Sequence, residues 1–305
     1  MLTDFPLISI VIPCFRAEKF LSQTLETVAR QSYPHWELLV VEDGSQDSTE
    51  SIVKNFQSKN PTKDVRYFRL DKTRGPSAAR NEGIRNSKGV WVAFLDSDDL
   101  WKPEHLKTLL ACAEKKSSDL CYCSVDFFDS ESGNVLGLWG PTEDDLECFP
   151  ETLYLRNFIL PSGVMVKKAS LEEKAFDEAP EIQSCEDHDL WMTMLRRGSS
   201  FSWTPDIKVS YRKNHPGAAT SNRERMFRAD LAVMYRHLRN PSFGFRTKCK
   251  GLSQNYALLA EALLEKKKWK ALPYYLKSWF FNPLELSRPK RFLKALGLLS
   301  LRSAD

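Results

Sequence analysis

The chain has 305 residues, 42% hydrophobic and 28% charged, enough to bury a full core in one large domain or two modest ones. No apolar run approaches the ~20 residues that cross a bilayer, which argues against a membrane-spanning protein. The net charge of +4 conceals an asymmetry, because residues 222–305 hold 18 Lys/Arg against 6 Asp/Glu and residues 1–221 carry the acidic excess.

In chain order, Ile8-Ser9-Ile10-Val11-Ile12 is a short apolar run ending at Pro13, the pattern of a buried parallel strand. Phe20, Leu21, Leu25 and Val28 recur at helical spacing over 18–30, and Ser32-Tyr33-Pro34 stops that helix. A strand over 37–41 runs into Glu42-Asp43-Gly44-Ser45, followed by a helix over 47–57 with Asp47 or Ser48 as N-cap. Residues 65–70 read as a third strand, 76–86 as a helix opened by Pro76, and 90–95 as a fourth strand ending in Asp96-Ser97-Asp98-Asp99. A helix over 104–116, a strand over 119–129, a long excursion over 130–160 and a strand over 161–168 follow. Residues 186–197 read as a helix with Leu190, Met194 and Leu195 inward, and the basic end offers helices over 223–239, 246–267 and 290–301. Strand–helix alternation predicts an α/β fold, a mostly parallel sheet flanked by helices. Functional residues of such sheets gather beyond the carboxyl ends of the strands, where Pro13, Asp43 and Asp96 fall.

Three carboxylates at one strand tip repel one another, and a divalent cation relieves the repulsion. Alternate residues can aim Asp96 and Asp98 at one site, and hard oxygen ligands suit Mn²⁺ or Mg²⁺. The bland alternative is an Asp-rich turn capping the next helix, a duty that suits Asp99. Asp43 offers a carboxylate to a base or ribose, or simply closes an Asx turn. Gly75 allows close backbone approach to a ligand, and Arg80 suits a phosphate.

Taken in order, Ile10-Val11-Ile12-Pro13, Leu25 to Tyr33, Glu42-Asp43-Gly44-Ser45, Ala79-Arg80-Asn81 and Asp96-Ser97-Asp98-Asp99 resemble the family 2 glycosyltransferases of the GT-A fold, over roughly residues 7–215. The resemblance implies a nucleotide pocket lined by Pro13, Phe15 and Glu18, with Asp43 at the base. It further implies that Asp96 and Asp98 hold the ribose and the metal on the diphosphate. Glu186-Asp187 matches the family's Glu-Asp pair, whose Asp is the catalytic base; a pair of acids at a helix start is the plain alternative. Tyr211-Arg212 with His215 matches a Y-R-x-H stretch that closes over the donor phosphates, although His215 lies one residue late. The family often has Asn where Arg16 and Thr73 stand, which puts the donor's identity in doubt.

The expectation is therefore an inverting transfer from a nucleotide-sugar, a UDP-sugar by resemblance with thymine and guanine nucleotides open, to a glycan or lipid-linked acceptor. Domains are expected at 1–221 (catalytic) and 222–305 (basic, helical). The rival of a different class is a non-catalytic nucleotide-sugar-binding partner in a glycan assembly complex. Trp191 suits either the core or an acceptor platform. The aromatic and basic residues of 222–305 fit either peripheral membrane contact or packing on the catalytic domain, and no nucleic-acid module accompanies them. Seven cysteines without zinc spacing read as free thiols, which with the absent signal peptide predicts a cytoplasmic protein, peripheral on the inner membrane face if the membrane alternative holds.

Overall fold

The computed structural model describes residues 5–172, 174–214, 222–264 and 268–283. His215 and the expected helix over 290–301 lie outside the described residues. The chain forms two compact units. Met1–Thr142, Phe158–Glu178 and Arg197–Ala218 make the first, and Glu143–Asn157, Ala179–Arg196 and Ala219–Asp305 the second.

The first unit begins with β1 (Ile8–Cys14), α1 (Leu21–Ala29), β2 (Trp36–Glu42), α2 (Thr49–Lys59), β3 (Asp64–Arg69), α3 (Pro76–Asn86) and β4 (Trp91–Phe94). It continues through β5 (Leu100–Trp101), α4 (His105–Lys116), β6 (Leu120–Asp129), β7 (Val135–Trp139), β8 (Val164–Lys167) and β9 (Phe201–Lys213). Among the described residues these strands form one sheet in the order β3-β2-β1-β4-β8-β6-β9-β5, with β7 paired to β6. The first four strands are parallel. β8 then runs antiparallel to both β4 and β6, whereas β6 and β9 are parallel. Every residue of β1 and β2 is buried, as expected where helices cover both faces.

Alternation decides which side chains meet which helix. Ile8, Ile10 and Ile12 pack with Leu38, Val40, Ala93 and Leu95 in the core that takes in Leu21 and Leu25 of α1, Val53 of α2 and Leu106 of α4. On the opposite face α3 lies so close to β1 that a Cβ on Gly83 would sit 2.3 Å from Val11 Cγ1. The chain steps from β1 outward to β2 and β3, then returns to place β4 on the other side of β1. In open α/β sheets, ligands bind at such a reversal, which here falls at the carboxyl ends of β1 and β4.

The second unit is helical: α5 (Glu143–Glu147), α6 (Glu151–Leu155), α7 (Glu186–Arg196), α8 (Arg223–Arg236), α9 (Phe245–Leu264) and α10 (Lys268–Phe281). Its core joins Tyr154, Ile182 and Met192 to Phe227 and Val233 of α8, Leu252 and Leu259 of α9, and Tyr275 of α10. The excursion over 130–160 is thus not bare loop, since it supplies β7 to the sheet and α5 and α6 to the helical unit. Trp191 is fully buried, which makes it a core residue and removes the platform alternative. No helix among the described residues is long and apolar enough to cross a membrane.

Candidate active site

Asp43 follows β2 and is buried. Its carboxylate accepts from the backbone N–H groups of Arg74 (2.7 Å) and Gly75 (2.8 Å), and its carbonyl accepts from the Thr73 hydroxyl (3.0 Å). Burial raises its pKa, while the two amides and Arg74 pull it down; the net direction is upward. Asp43 therefore holds the loop that carries Gly75 into α3. Gly44 is required there, because at φ 67° a Cβ would meet the Lys72 carbonyl carbon at 2.6 Å.

From the first turns of α3, the buried Arg80 guanidinium donates to Asp96 Oδ1 (2.7 Å) and lies 5.2 Å from the Phe176 ring centre. Asn81 of the same motif turns toward the sheet flank, its amide donating to the Phe176 carbonyl (2.7 Å) and accepting from the Phe176 N–H (2.9 Å). The sequence offered Arg80 to a phosphate; in the structure its guanidinium is paired with the Asp96 carboxylate.

The turn after β4 rests on a buried frame. Asp99 is fully buried; its carboxylate accepts from the Ser162 hydroxyl (2.5 Å) and the Arg212 N–H (3.0 Å). It is thus not the helix cap the sequence suggested, for α4 starts after Glu104 with no side-chain cap bond. The Ser162 hydroxyl also accepts from the Asp96 N–H (3.0 Å). Arg212 Nε donates to the Asp98 carbonyl (2.8 Å) and Nη2 to Gln23 Oε1 (2.9 Å), with Phe20 and Phe128 rings 4.3 and 4.7 Å away. Arg212 is buried and grips the backbone of the Asp96–Asp98 turn.

Pro13 is buried against Val41, while Phe15 stands exposed at the end of β1 beside Arg16. Glu18 accepts from the Ser48 N–H (3.1 Å), and Asp47 accepts from the Glu18 N–H (3.1 Å), so the loops after β1 and β2 clasp each other. The strand ends share a negative field. Burial raises the Cys14 thiol pKa, and Glu42, Asp47, Asp98 and Asp96 raise it further. Asp99 is raised by burial first and then by Asp98 and Asp96. That field suits a divalent cation, and Asp96 and Asp98 remain partly exposed at its mouth. Among the described residues no group of three His, Cys, Asp or Glu side chains is arranged to hold a metal ion. A cation there fits a site with one or two protein carboxylates, its shell completed by phosphate oxygens, which is how Mg²⁺-type sites are commonly built.

The second unit carries Glu186 and Asp187 in the first turn of α7. Glu186 accepts from the Ser184 N–H (2.8 Å), and Asp187 accepts from Asn157 Nδ2 (2.9 Å) and the His188 N–H (2.8 Å). His188 is buried between Asp230 (Nδ1, 2.9 Å) and the Leu153 carbonyl (Nε2, 2.7 Å). Both partners accept, so the ring donates through both nitrogens, the hydrogen-bonding state of an imidazolium. Burial opposes that charge, but Asp230, the Leu153 carbonyl and Asp187 outweigh it and raise the His188 pKa. Asp189 in turn accepts from His237 Nε2 (3.0 Å).

Sequence reasoning missed Ser162, Gln23, Asn157 and Asp230. Each reaches its partner through the fold from 30 residues away or more, and none belongs to a local pattern. All seven cysteines are free.

The profile of glycosyl transferase family 2 matches residues 9–173. Among relatives, TuaG of Bacillus subtilis, a glycosyltransferase assigned to teichuronic acid biosynthesis, is 28% identical over 211 residues, covering 68% of this chain and 79% of TuaG. WfgD of Escherichia coli, a UDP-Glc:α-D-GlcNAc-diphosphoundecaprenol β-1,3-glucosyltransferase, is 23% identical over 240 residues, 78% of this chain and 89% of WfgD. In fold the chain is similar to S. aureus TarS, with TM-score 0.66, 19% identity and 93% of this chain covered, although it spans only 50% of that TarS chain. It is also similar to the mannosyltransferase PcManGT of Pyrobaculum calidifontis, solved with GDP-Man and Mn²⁺, with TM-score 0.63, 17% identity and coverage of 97% of this chain and 80% of that one. The matched span runs from β1 past β8 and takes in Asp43, Arg80 and the Asp96–Asp98 turn: the chain belongs to glycosyl transferase family 2.

Proposed function

We propose that the protein transfers a sugar from a nucleotide-diphosphate donor to a hydroxyl of a cell-surface glycan or lipid-linked acceptor, inverting the anomeric centre. The observation that carries this reading is the gathering of Asp43, the Arg80–Asp96 pair and Asp98 beyond the carboxyl ends of β2 and β4. These strand ends suit a nucleotide: Phe15 offers a ring face, the Asp43-held loop offers backbone, and Arg80 offers positive charge. Asp96 and Asp98 would hold Mn²⁺ or Mg²⁺, which when bound supplies charge neutralisation on the leaving diphosphate. Arg80 adds to that neutralisation. Arg212 keeps the Asp96–Asp98 turn in place through its hold on the Asp98 carbonyl. Asp187 accepts the proton of the attacking hydroxyl, and Asn157 fixes the orientation of its carboxylate.

Support for the donor class comes from solved neighbours bound to UDP-GlcNAc and to GDP-Man. The name of WfgD supports a diphospholipid-linked acceptor. The test is a panel of nucleotide sugars with Mn²⁺, read by thermal shift and by release of the nucleoside diphosphate. One donor should stabilise the protein and be slowly hydrolysed. Asp187→Asn should bind that donor as the parent does and transfer nothing. Undiminished turnover in Asp187→Asn would remove Asp187 from the reaction, and no response to any donor would overturn the reading as a whole.

A further inference from the structure

We propose that the outward face of α10 is a docking surface for an anionic lipid bilayer. The proposal goes beyond sugar transfer and is carried by the second unit alone. α10 packs Ala271, Tyr275 and Ser278 inward. Its opposite side presents Trp269, Pro273, Leu276 and Phe280, spaced four, three and four residues apart, one continuous stripe on a helix. Trp269 is 79% exposed and Phe280 77%, values more typical of solvated Lys than of large aromatic residues. Trp279, 51% exposed, widens the stripe.

The choice of occupant rests on charge and residue type. The whole of α10 contains no Asp or Glu, while Lys270 and Lys277 stand exposed along one border of the stripe. The surrounding 222–305 region has 18 Lys/Arg against 6 Asp/Glu, a sign suited to an anionic surface. Trp and Phe beside Lys is the composition of a helix lying in a membrane interface, with its rings at the headgroup level and its cations among the lipid phosphates. The contact proposed is peripheral, made by one face of α10. Such a surface would hold the enzyme beside an acceptor that is itself anchored in the bilayer.

The test is co-sedimentation of the full-length protein, without donor, with vesicles of phosphatidylcholine alone or enriched in phosphatidylglycerol, at low and high salt. The protein should pellet with the anionic vesicles and be largely released by salt or by replacing the anionic lipid. Trp269→Ser with Phe280→Ser should weaken partitioning about tenfold or more. Lys270→Glu with Lys277→Glu should do so by a similar factor. All four positions are on the surface, so unchanged circular dichroism and thermal midpoint are expected. Failure of the wild type to pellet, or undiminished pelleting of both variants, would overturn the proposal. So would a wild-type dimer that both variants make monomeric without any vesicle binding, since the stripe would then join two copies. Donor binding is measured separately, and a negative result in either experiment leaves the other interpretable.

Discussion

Arg16 has φ 52°, a left-handed conformation that non-glycine residues enter at a cost and Asn enters more readily. The family preference for Asn at this position thus has a conformational basis in the turn after β1. Arg16→Asn should stabilise the fold by up to about 1 kcal/mol, checked by urea denaturation. Gly83 is the opposite case, since the fully buried Val11 leaves no room for a methyl group. Gly83→Ala should cost about 1–3 kcal/mol by the same measurement. His188 makes a prediction in pH. Its folded pKa lies above the ordinary His value of about 6.5, so its contribution is complete below that value and is lost as pH rises through the folded pKa. Denaturation midpoints over a pH series should fall across that window, and the fall should shrink in His188→Gln.

Between single residues and the whole fold lies the frame under the Asp96–Asp98 turn. Ser162 comes from the turn before β8 and Arg212 from β9, and the two meet on Asp99. Lysine cannot reproduce the fork that bonds both the Asp98 carbonyl and Gln23. Arg212→Lys should lose about 1–3 kcal/mol of stability and weaken donor binding in the presence of Mn²⁺, read by calorimetry. Unchanged donor affinity would limit Arg212 to a role in folding. β9 itself was not legible, because Thr204, Pro205 and Asp206 interrupt its apolar pattern and its register with β6 shifts. α10 escaped for a similar reason: Pro273 cannot donate to the carbonyl a turn earlier, and only the packing of Ala271, Tyr275 and Ser278 sustains the helix around it.

At the scale of the molecule, the helical unit is assembled from three separate stretches of chain. Tyr154 of α6 shares its core with Met234 of α8, whose carbonyl accepts from the Tyr154 hydroxyl (2.9 Å). A chain ending at residue 221 would leave Tyr154, Ile182 and Met192 without most of that core. Such a truncation should bind a hydrophobic dye and fall in soluble yield; a well-folded, dye-negative product would contradict this account of the unit. Sequence alone determined the first four strands and the helices between them, because the buried strands β1, β2 and β4 demand continuous apolar runs, the edge strand β3 follows in the strand–helix alternation, and the turn residues that stop each element are local. It also marked Asp43, Asp96 and Asp98, since strand ends can be located from the runs that precede them, and Arg80 by its place in the ordered motifs. Only the tertiary structure decided that Arg80 meets Asp96, that Arg212 and Ser162 carry the turn from below, and that segments 143–157 and 179–196 join the C-terminal helices. Those choices depend on contacts between residues far apart in the chain, and no local periodicity records them.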